Sequence, residues 1–275
     1  MKKISKEDIA SIHTPVSTSH KGQNGRLLLI GGSKLFHAAS LWSLTVASRL
    51  VDLVHFSSVE ENNELVKLAK QEFRNGIVIA RSDIESYIEE DDSILIGPGM
   101  TRDSETSELT NKLLRAYPKK QWIIDAGALQ MLDINLIPPR AILTPHKGEF
   151  DQLCERANIT IGESGDEDTV ATLALKCHCI VLRKGLVDIA SDGKEIYMIE
   201  GGNAGMTKGG TGDVLAGLIA ALSCTNAPML SVTAGSYINK YAGDMLFERV
   251  GPFFNASDLA SQIPIALNTV LFGPK

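Results

Sequence analysis

From Arg26 onward the chain alternates between two apolar patterns. Short uninterrupted apolar runs occur at "RLLLIGG" (26–32), "SILIGPG" (93–99), "WIIDAG" (122–127), "AILTPH" (141–146) and "CIVLRKG" (179–185). Each ends in Gly, Pro or a polar residue, which predicts a buried strand followed by a turn. Between them lie "AASLWSLTVASRL" (38–50), "ENNELVKLAKQEF" (61–73), "DSETSELTNKLLRAY" (103–117), "GEFDQLCERA" (148–157) and "DEDTVATLALK" (166–176), with apolar residues at helical spacing. Strands apolar throughout and separated by helices predict a mostly parallel sheet flanked by helices on both faces. "VDIASDGKEIYMIEG" (187–201) departs from this: Asp192-Gly193 separates two alternating runs, which reads as a hairpin. A glycine loop and a largely helical C-terminal third follow. With no linker, repeat or low-complexity stretch, residues 1–275 read as a single α/β domain.

In such sheets ligands gather at the carboxyl ends of the strands. "GGS" (31–33), "GPGM" (97–100), "DAGAL" (125–129), "TPHKGEF" (144–150) and "RKG" (183–185) all fall there, which predicts one site lined by several loops. Composition narrows what that site serves. A net charge of -6 without a basic cluster argues against a nucleic-acid partner. Four irregularly spaced cysteines make no disulfide framework. "MKKISKEDIASIHTP" lacks a signal peptide's apolar core, and no stretch approaches a membrane span. The expectation is a cytoplasmic protein without a membrane partner.

The most informative stretch is "GGTGDV" (209–214), followed by the apolar "LAGLIAALSC". Glycines let backbone N–H groups turn toward an anion, and a helix starting near Thr211 or Gly212 points its positive end at the same place. Asp213 at that entrance fits a site where something beside the phosphate must lose a proton. The P-loop pattern G-x-x-x-x-G-K-[ST] is absent, and "GGTGDVLAG" lacks Rossmann spacing. Taken singly, each piece has a plainer reading. Asp213 suits any helix dipole, "GPGM" any turn, and Asp125 can cap the turn "AGALQML". His146 can be a satisfied loop histidine, Glu149 an early-helix acid and Lys184 a solvated strand end. Cys177, His178 and Cys179 look like a metal trio, yet on a strand the cysteines face opposite to the histidine, so they read as buried apolar residues.

In order, "SHKGQNGRLLLIGGS" (19–33), "SILIGPGMTRD" (93–103), "IIDAGAL" (123–129), "LTPHKGEF" (143–150), "LRKG" (182–185) and "GNAGMTKGGTGDVLAGLIAAL" (202–222) resemble the blocks of the nucleotide-dependent NAD(P)H-hydrate dehydratases, in the ribokinase-like superfamily. "GGTGD" marks the superfamily; "TPHKGEF" and "HKGQNGR" narrow it. The resemblance implies a ribokinase-like fold and a repair reaction on hydrated NADH or NADPH: ADP or ATP phosphorylates the ring hydroxyl and phosphate is then eliminated. It implies Asp213 as base, with Gly210, Thr211 and Gly212 holding the developing charge. Lys184, Gly185, Leu186, Val187 and Asp188, with Gly212, match nucleotide contacts. Ala39, Gly99, His146 and Asp213 match contacts to the damaged dinucleotide. Mg²⁺ would bridge the phosphates, through ligands the sequence does not assign.

The family habit also implies a homotetramer. The fused epimerase domain of many relatives is not seen, so epimerisation is expected from another chain. Ala38 stands where glycine is usual, "HKGE" replaces "HPGE", and Asp188 replaces a frequent threonine. These bear on affinity and nucleotide preference more than on the reaction. Two other readings share the glycine–aspartate loop: a kinase of a vitamin precursor, which stops at the phosphoester, and a non-catalytic nucleotide sensor.

Overall fold

Alternate residues of each central strand face opposite sides of the sheet, and here both sides are apolar. The computed structural model describes residues 1–71, 74–160 and 166–273. Its strands are β1 (Lys2–Lys3), β2 (Arg26–Ile30), β3 (Leu53–Ser57), β4 (Ile77–Ile79), β5 (Ser93–Ile96), β6 (Gln121–Ile124), β7 (Ile142–Leu143), β8 (Ile180–Arg183), β9 (Asp188–Ser191) and β10 (Ile196–Ile199). They form one sheet in the order β1-β10-β9-β8-β7-β6-β5-β2-β3-β4. From β8 to β4 every pairing is parallel; β9 runs antiparallel to both β8 and β10, as the hairpin reading required.

The helices are α1 (His37–Ala47), α2 (Glu60–Ala69), α3 (Ile84–Tyr87), α4 (Ser104–Ala116), α5 (Ala126–Met131), α6 (Lys147–Arg156), α7 (Asp166–Cys177), α8 (Thr211–Leu222), α9 (Pro228–Val250) and α10 (Ala256–Phe272). Leu27, Leu29, Leu95, Ile123 and Leu182 form one core with α1, α8, α9 and α10. Leu28, Ile30, Ile94, Ile96, Trp122 and Val181 form another with α4, α5, α6 and α7. Each such side chain removed from water contributes about 1.5–3 kcal/mol, which explains why the strands read as unbroken apolar runs.

Sequence reading and structure differ in three places. β3 and β4 were not foreseen: His55 interrupts the β3 pattern and is buried against Asp91, its Nδ1 at 3.0 Å from both carboxylate oxygens. The helix expected over 61–73 runs Glu60–Ala69, and Glu72 and Phe73 lie outside the described residues. Cys177 and Cys179 do not share a strand. Cys177 ends α7, His178 turns the chain at φ 53°, and Cys179 precedes β8.

The helix announced by "GGTGDV" sits in the middle of the fold. All of α8 is buried except Gly212 and Asp213, so its first turn is the only part that meets solvent. No helix among the described residues is long and apolar enough to cross a membrane.

Candidate active site

The first turn of α8 opens onto a cavity of about 820 Å³ at the carboxyl ends of β6 to β8. Three devices shape the entrance. Gly210, the residue before the helix, has φ 98°, a left-handed conformation costly for other residues. Thr211 Oγ1 donates to the carbonyls of Met206 and Lys208 at 2.7 and 3.0 Å, folding the preceding loop onto the helix. Ser43 of α1 donates to the Asp213 carbonyl at 2.7 Å. The need for glycine differs from the sequence expectation. A Cβ at Gly210 would strike the Trp42 ring and Ala256 rather than an anion. Gly209 has open space around a Cβ, and a Cβ at Gly212 would stand 3.5 Å from Lys184 Nζ. The free approach to the loop is over Gly209 and Gly212.

His146 and Lys184 extend β7 and β8 by one bridge, which sets them side by side at the cavity edge. Lys184 is not a solvated strand end. Its Nζ lies 2.9 Å from Asp125 Oδ1, which also accepts from Thr144 Oγ1 at 2.7 Å. Asp125 holds the cap position of α5 but makes no capping bond; its carboxylate is spent on Lys184 and Thr144. Burial opposes the Lys184 charge, but Asp125, Glu149 and Asp213 outweigh it and hold the ammonium above the ordinary lysine range. Burial, and next the Asp125 carboxylate, push Asp213 up to about 7, with Lys184 pulling the other way and Glu149 adding to the rise. A carboxyl poised near neutral pH in a cleft is a candidate proton acceptor.

For His146 the plainer reading holds in part. Its Nδ1 accepts from the Glu149 N–H at 3.3 Å, and Glu149 Oε2 accepts from the His146 N–H at 2.9 Å. This reciprocal pair caps α6. With Nδ1 accepting, the neutral ring carries its proton on Nε2. The side chain stays 59% exposed, available to a ligand.

Of the expected nucleotide contacts, Lys184, Gly185, Leu186, Asp188 and Gly212 line the cavity, and Val187 does not. Asp188 has other duties: its Oδ1 accepts from the Gly185 N–H at 2.8 Å, its Oδ2 from Ser236 Oγ at 2.7 Å, and Lys240 Nζ is 3.4 Å from Oδ1. Its carboxylate therefore holds the β8–β9 turn. Ala39 and Gly99 lie against each other, a Cβ on Gly99 falling 3.0 Å from that of Ala39, and both are outside the cavity lining. Asn239 and Lys240 of α9 line the cavity too, and nothing in the local sequence announced them. A second cavity, about 530 Å³ between α2 and β4, lies apart from all these groups.

Residues 27–265 match the family described as NAD(P)H-hydrate dehydratase. The chain belongs to that family. It is 33% identical over 266 residues to the ADP-dependent (S)-NAD(P)H-hydrate dehydratase of Cenarchaeum symbiosum, covering 90% of this chain and 89% of that one. It is also 35% identical over 269 residues to the bifunctional NAD(P)H-hydrate repair enzyme of Methanocaldococcus jannaschii, covering 94% of this chain and 51% of the relative. The chain thus spans about half the length of such bifunctional members of the family. The fold is that of a ribokinase-like superfamily protein from Enterococcus faecalis, with TM-score 0.85, 24% identity and coverage of 99% and 97% of the two chains. An ADP/ATP-dependent NAD(P)H-hydrate dehydratase from Bacillus subtilis, co-crystallised with ATP and Mg²⁺, superposes with TM-score 0.83 at 22% identity, covering 97% of each chain.

Proposed function

We propose that this protein restores hydrated NADH and NADPH by nucleotide-dependent dehydration, with Asp213 as the base. The observation that carries the reading is the Asp213 carboxyl, at about 7, on the one exposed turn of α8 beside Lys184. Asp213 takes the proton of the ring hydroxyl as that oxygen bonds to the terminal phosphoryl group of ADP or ATP, and the bond to the departing AMP or ADP breaks. The phosphorylated carbon then loses phosphate while its ring neighbour gives up a proton, which restores the double bond. Phosphate leaves readily where hydroxide does not.

Gly210 and Gly212 present backbone N–H groups at the positive end of α8, the Thr211 N–H donating instead to the Lys208 carbonyl at 3.4 Å, and Lys184 adds a full charge beside them. Lys184, Gly185, Leu186, Asp188 and Gly212 are assigned to the nucleotide, with Val187 outside the lining; Ala39, Gly99, His146 and Asp213 are assigned to the damaged dinucleotide. Asp188 would serve the nucleotide through the turn it holds. The relative similar along nearly its whole length is named ADP-dependent, which supports ADP as donor.

The donor set fits Mg²⁺ carried in on the phosphates. Among the described residues no three His, Cys, Asp or Glu side chains converge on one point, and Asp125 and Glu149 already accept bonds from the protein. Mg²⁺ arriving with the nucleotide would supply neutralisation of phosphate charge, a task this chain's own Lys184 and the first turn of α8 would share.

We propose further a single-domain dehydratase unit over 1–275 that acts as a homo-oligomer, a tetramer by family habit, in the cytoplasm alongside an epimerase activity. The bifunctional naming of the longer relatives supports a companion repair step. The test is turnover of chemically hydrated NADH with ADP and ATP in parallel. Return of the reduced-nicotinamide absorbance only with nucleotide is expected; no return with either nucleotide overturns the reading.

A further inference from the structure

Cys154, Cys177 and Cys179 are free thiols that pack against one hydrophobic core, the one formed with α4 to α7. They are not equivalent. Cys154 and Cys179 are buried, whereas Cys177 is half-buried at the end of α7. The turn from Cys177 to Cys179 is held by two backbone bonds. The Cys179 N–H donates to the Ala174 carbonyl at 3.0 Å, and the His178 N–H to that of Leu175 at 3.3 Å. His178 is left-handed at φ 53° between them, so the helix closes as a Schellman turn with histidine where glycine is usual. His178 stands in solvent, and the two cysteine side chains meet: the Cys179 thiol donates a hydrogen bond to the Cys177 sulfur. Two residues of chain separate Cα atoms by at most about 7 Å, and by less across a turn, a separation that a disulfide can bridge.

Charge distinguishes the two sulfurs. The bond from Cys179, with Lys176 and Arg156 behind it, holds the Cys177 thiol below the ordinary thiol range against the opposing effect of burial. The same contact, together with burial, pushes Cys179 well above that range, and burial pushes Cys154 up to about 11. Thiolate is the nucleophilic form of cysteine. A half-buried nucleophile therefore lies against a buried thiol that can resolve it.

We infer that Cys177 and Cys179 form a modification site, at which a hydroperoxide converts the two thiols into a disulfide. The Cys177 sulfur attacks one oxygen of hydrogen peroxide; an S–O bond forms and the O–O bond breaks. The second oxygen leaves as hydroxide and takes up the proton that Cys177 released, giving water. Cys179 then attacks the Cys177 sulfur; the S–S bond forms, the S–O bond breaks, and the hydroxyl departs as water with the Cys179 proton. The thiols lose two electrons and the peroxide gains them. A sulfenic acid beside a thiol stops at the reversible disulfide, whereas one without a partner can go on to sulfinic and sulfonic acid. Cys179 thus shields Cys177 from irreversible oxidation. The pair precedes β8 and Lys184 follows it, so this site lies at the opposite end of the strand from the candidate active site.

The experiment treats the full-length protein with hydrogen peroxide, blocks the remaining thiols with iodoacetamide and maps tryptic peptides by mass spectrometry. Cleavage after Lys176 and Arg183 puts both cysteines on "CHCIVLR" (177–183), apart from Cys154 and Cys224. Wild type is expected to yield this peptide unblocked and two hydrogens lighter, restored by dithiothreitol, with Cys154 and Cys224 blocked as free thiols. Without peroxide, iodoacetamide should modify Cys177 about tenfold or more faster than Cys154. Cys179→Ser should leave Cys177 as sulfinic or sulfonic acid that dithiothreitol does not restore; the wild-type map decides alone if that variant does not fold. A wild-type peptide that stays reduced and doubly blocked overturns the inference. So does irreversible oxidation of Cys177 in wild type, or a bond from Cys177 to Cys154 or to a second copy of the chain.

Discussion

Replacing Asp213 with asparagine keeps the side chain's shape and removes a carboxyl that titrates at about 7. The ordinary value is 3.8, and the rise comes first from burial and next from Asp125. Because the folded value exceeds the unfolded one, this group favours folding fully only below pH 3.8, and the contribution is lost as pH rises through about 7. Three pH units at about 1.4 kcal/mol each give a ceiling of about 4 kcal/mol. Asp213 is only half-buried on the cavity wall, and water there trims the effect to about 1–3 kcal/mol. The neutral amide of the variant carries no such cost. Urea denaturation of ligand-free protein is therefore expected to show Asp213→Asn more stable than wild type at pH 8.5 by that amount. The gap should open between about pH 4 and pH 7, stay flat above, and close below pH 4. A gap that does not change with pH, or a wild type more stable at pH 8.5, would refute a carboxyl held near neutrality.

The same variant should lose turnover on hydrated cofactor by about a hundredfold or more, with ADP affinity within about twofold by calorimetry; near-normal kcat removes Asp213 from the mechanism. His146→Ala should raise KM for the hydrate or lower kcat and leave ADP affinity nearly unchanged. It should also cost about 1 kcal/mol of stability in denaturant titration, because the α6 cap goes with it. Lys184→Met leaves the Asp125 carboxylate without its cation and should destabilise the fold by about 3 kcal/mol on urea titration. Gly209→Ala should fold like wild type and weaken ADP binding. Gly210→Ala should lower the melting temperature, since its φ of 98° and the Trp42 ring leave no room for a methyl group.

The central sheet was legible because its strands are covered on both faces, so no polar residue breaks Leu27–Ile30, Ile94–Ile96 or Trp122–Ile124. β3 hid behind His55, whose burial depends on Asp91 far along the chain, and β4 is a three-residue edge strand with Ile77 exposed. The glycine–aspartate helix entry was readable because its chemistry is local. The Asp125–Lys184 pair was not, since its partners are 59 residues apart and each has an ordinary local explanation. Cys177 to Cys179 misled because a helix can end on a left-handed histidine as well as on glycine. Asn239 and Lys240 sit mid-helix with no motif around them; only the fold turns them toward the cavity.

In the proposed reaction one chain both phosphorylates the hydrate and expels the phosphate. Phosphorus NMR of purified protein with chemically hydrated NADH and ADP tests it most directly. Inorganic phosphate and AMP are expected to appear in step with restored NADH and with no lasting phosphoester. A phosphoester that accumulates while NADH stays hydrated would contradict it and make the protein a kinase.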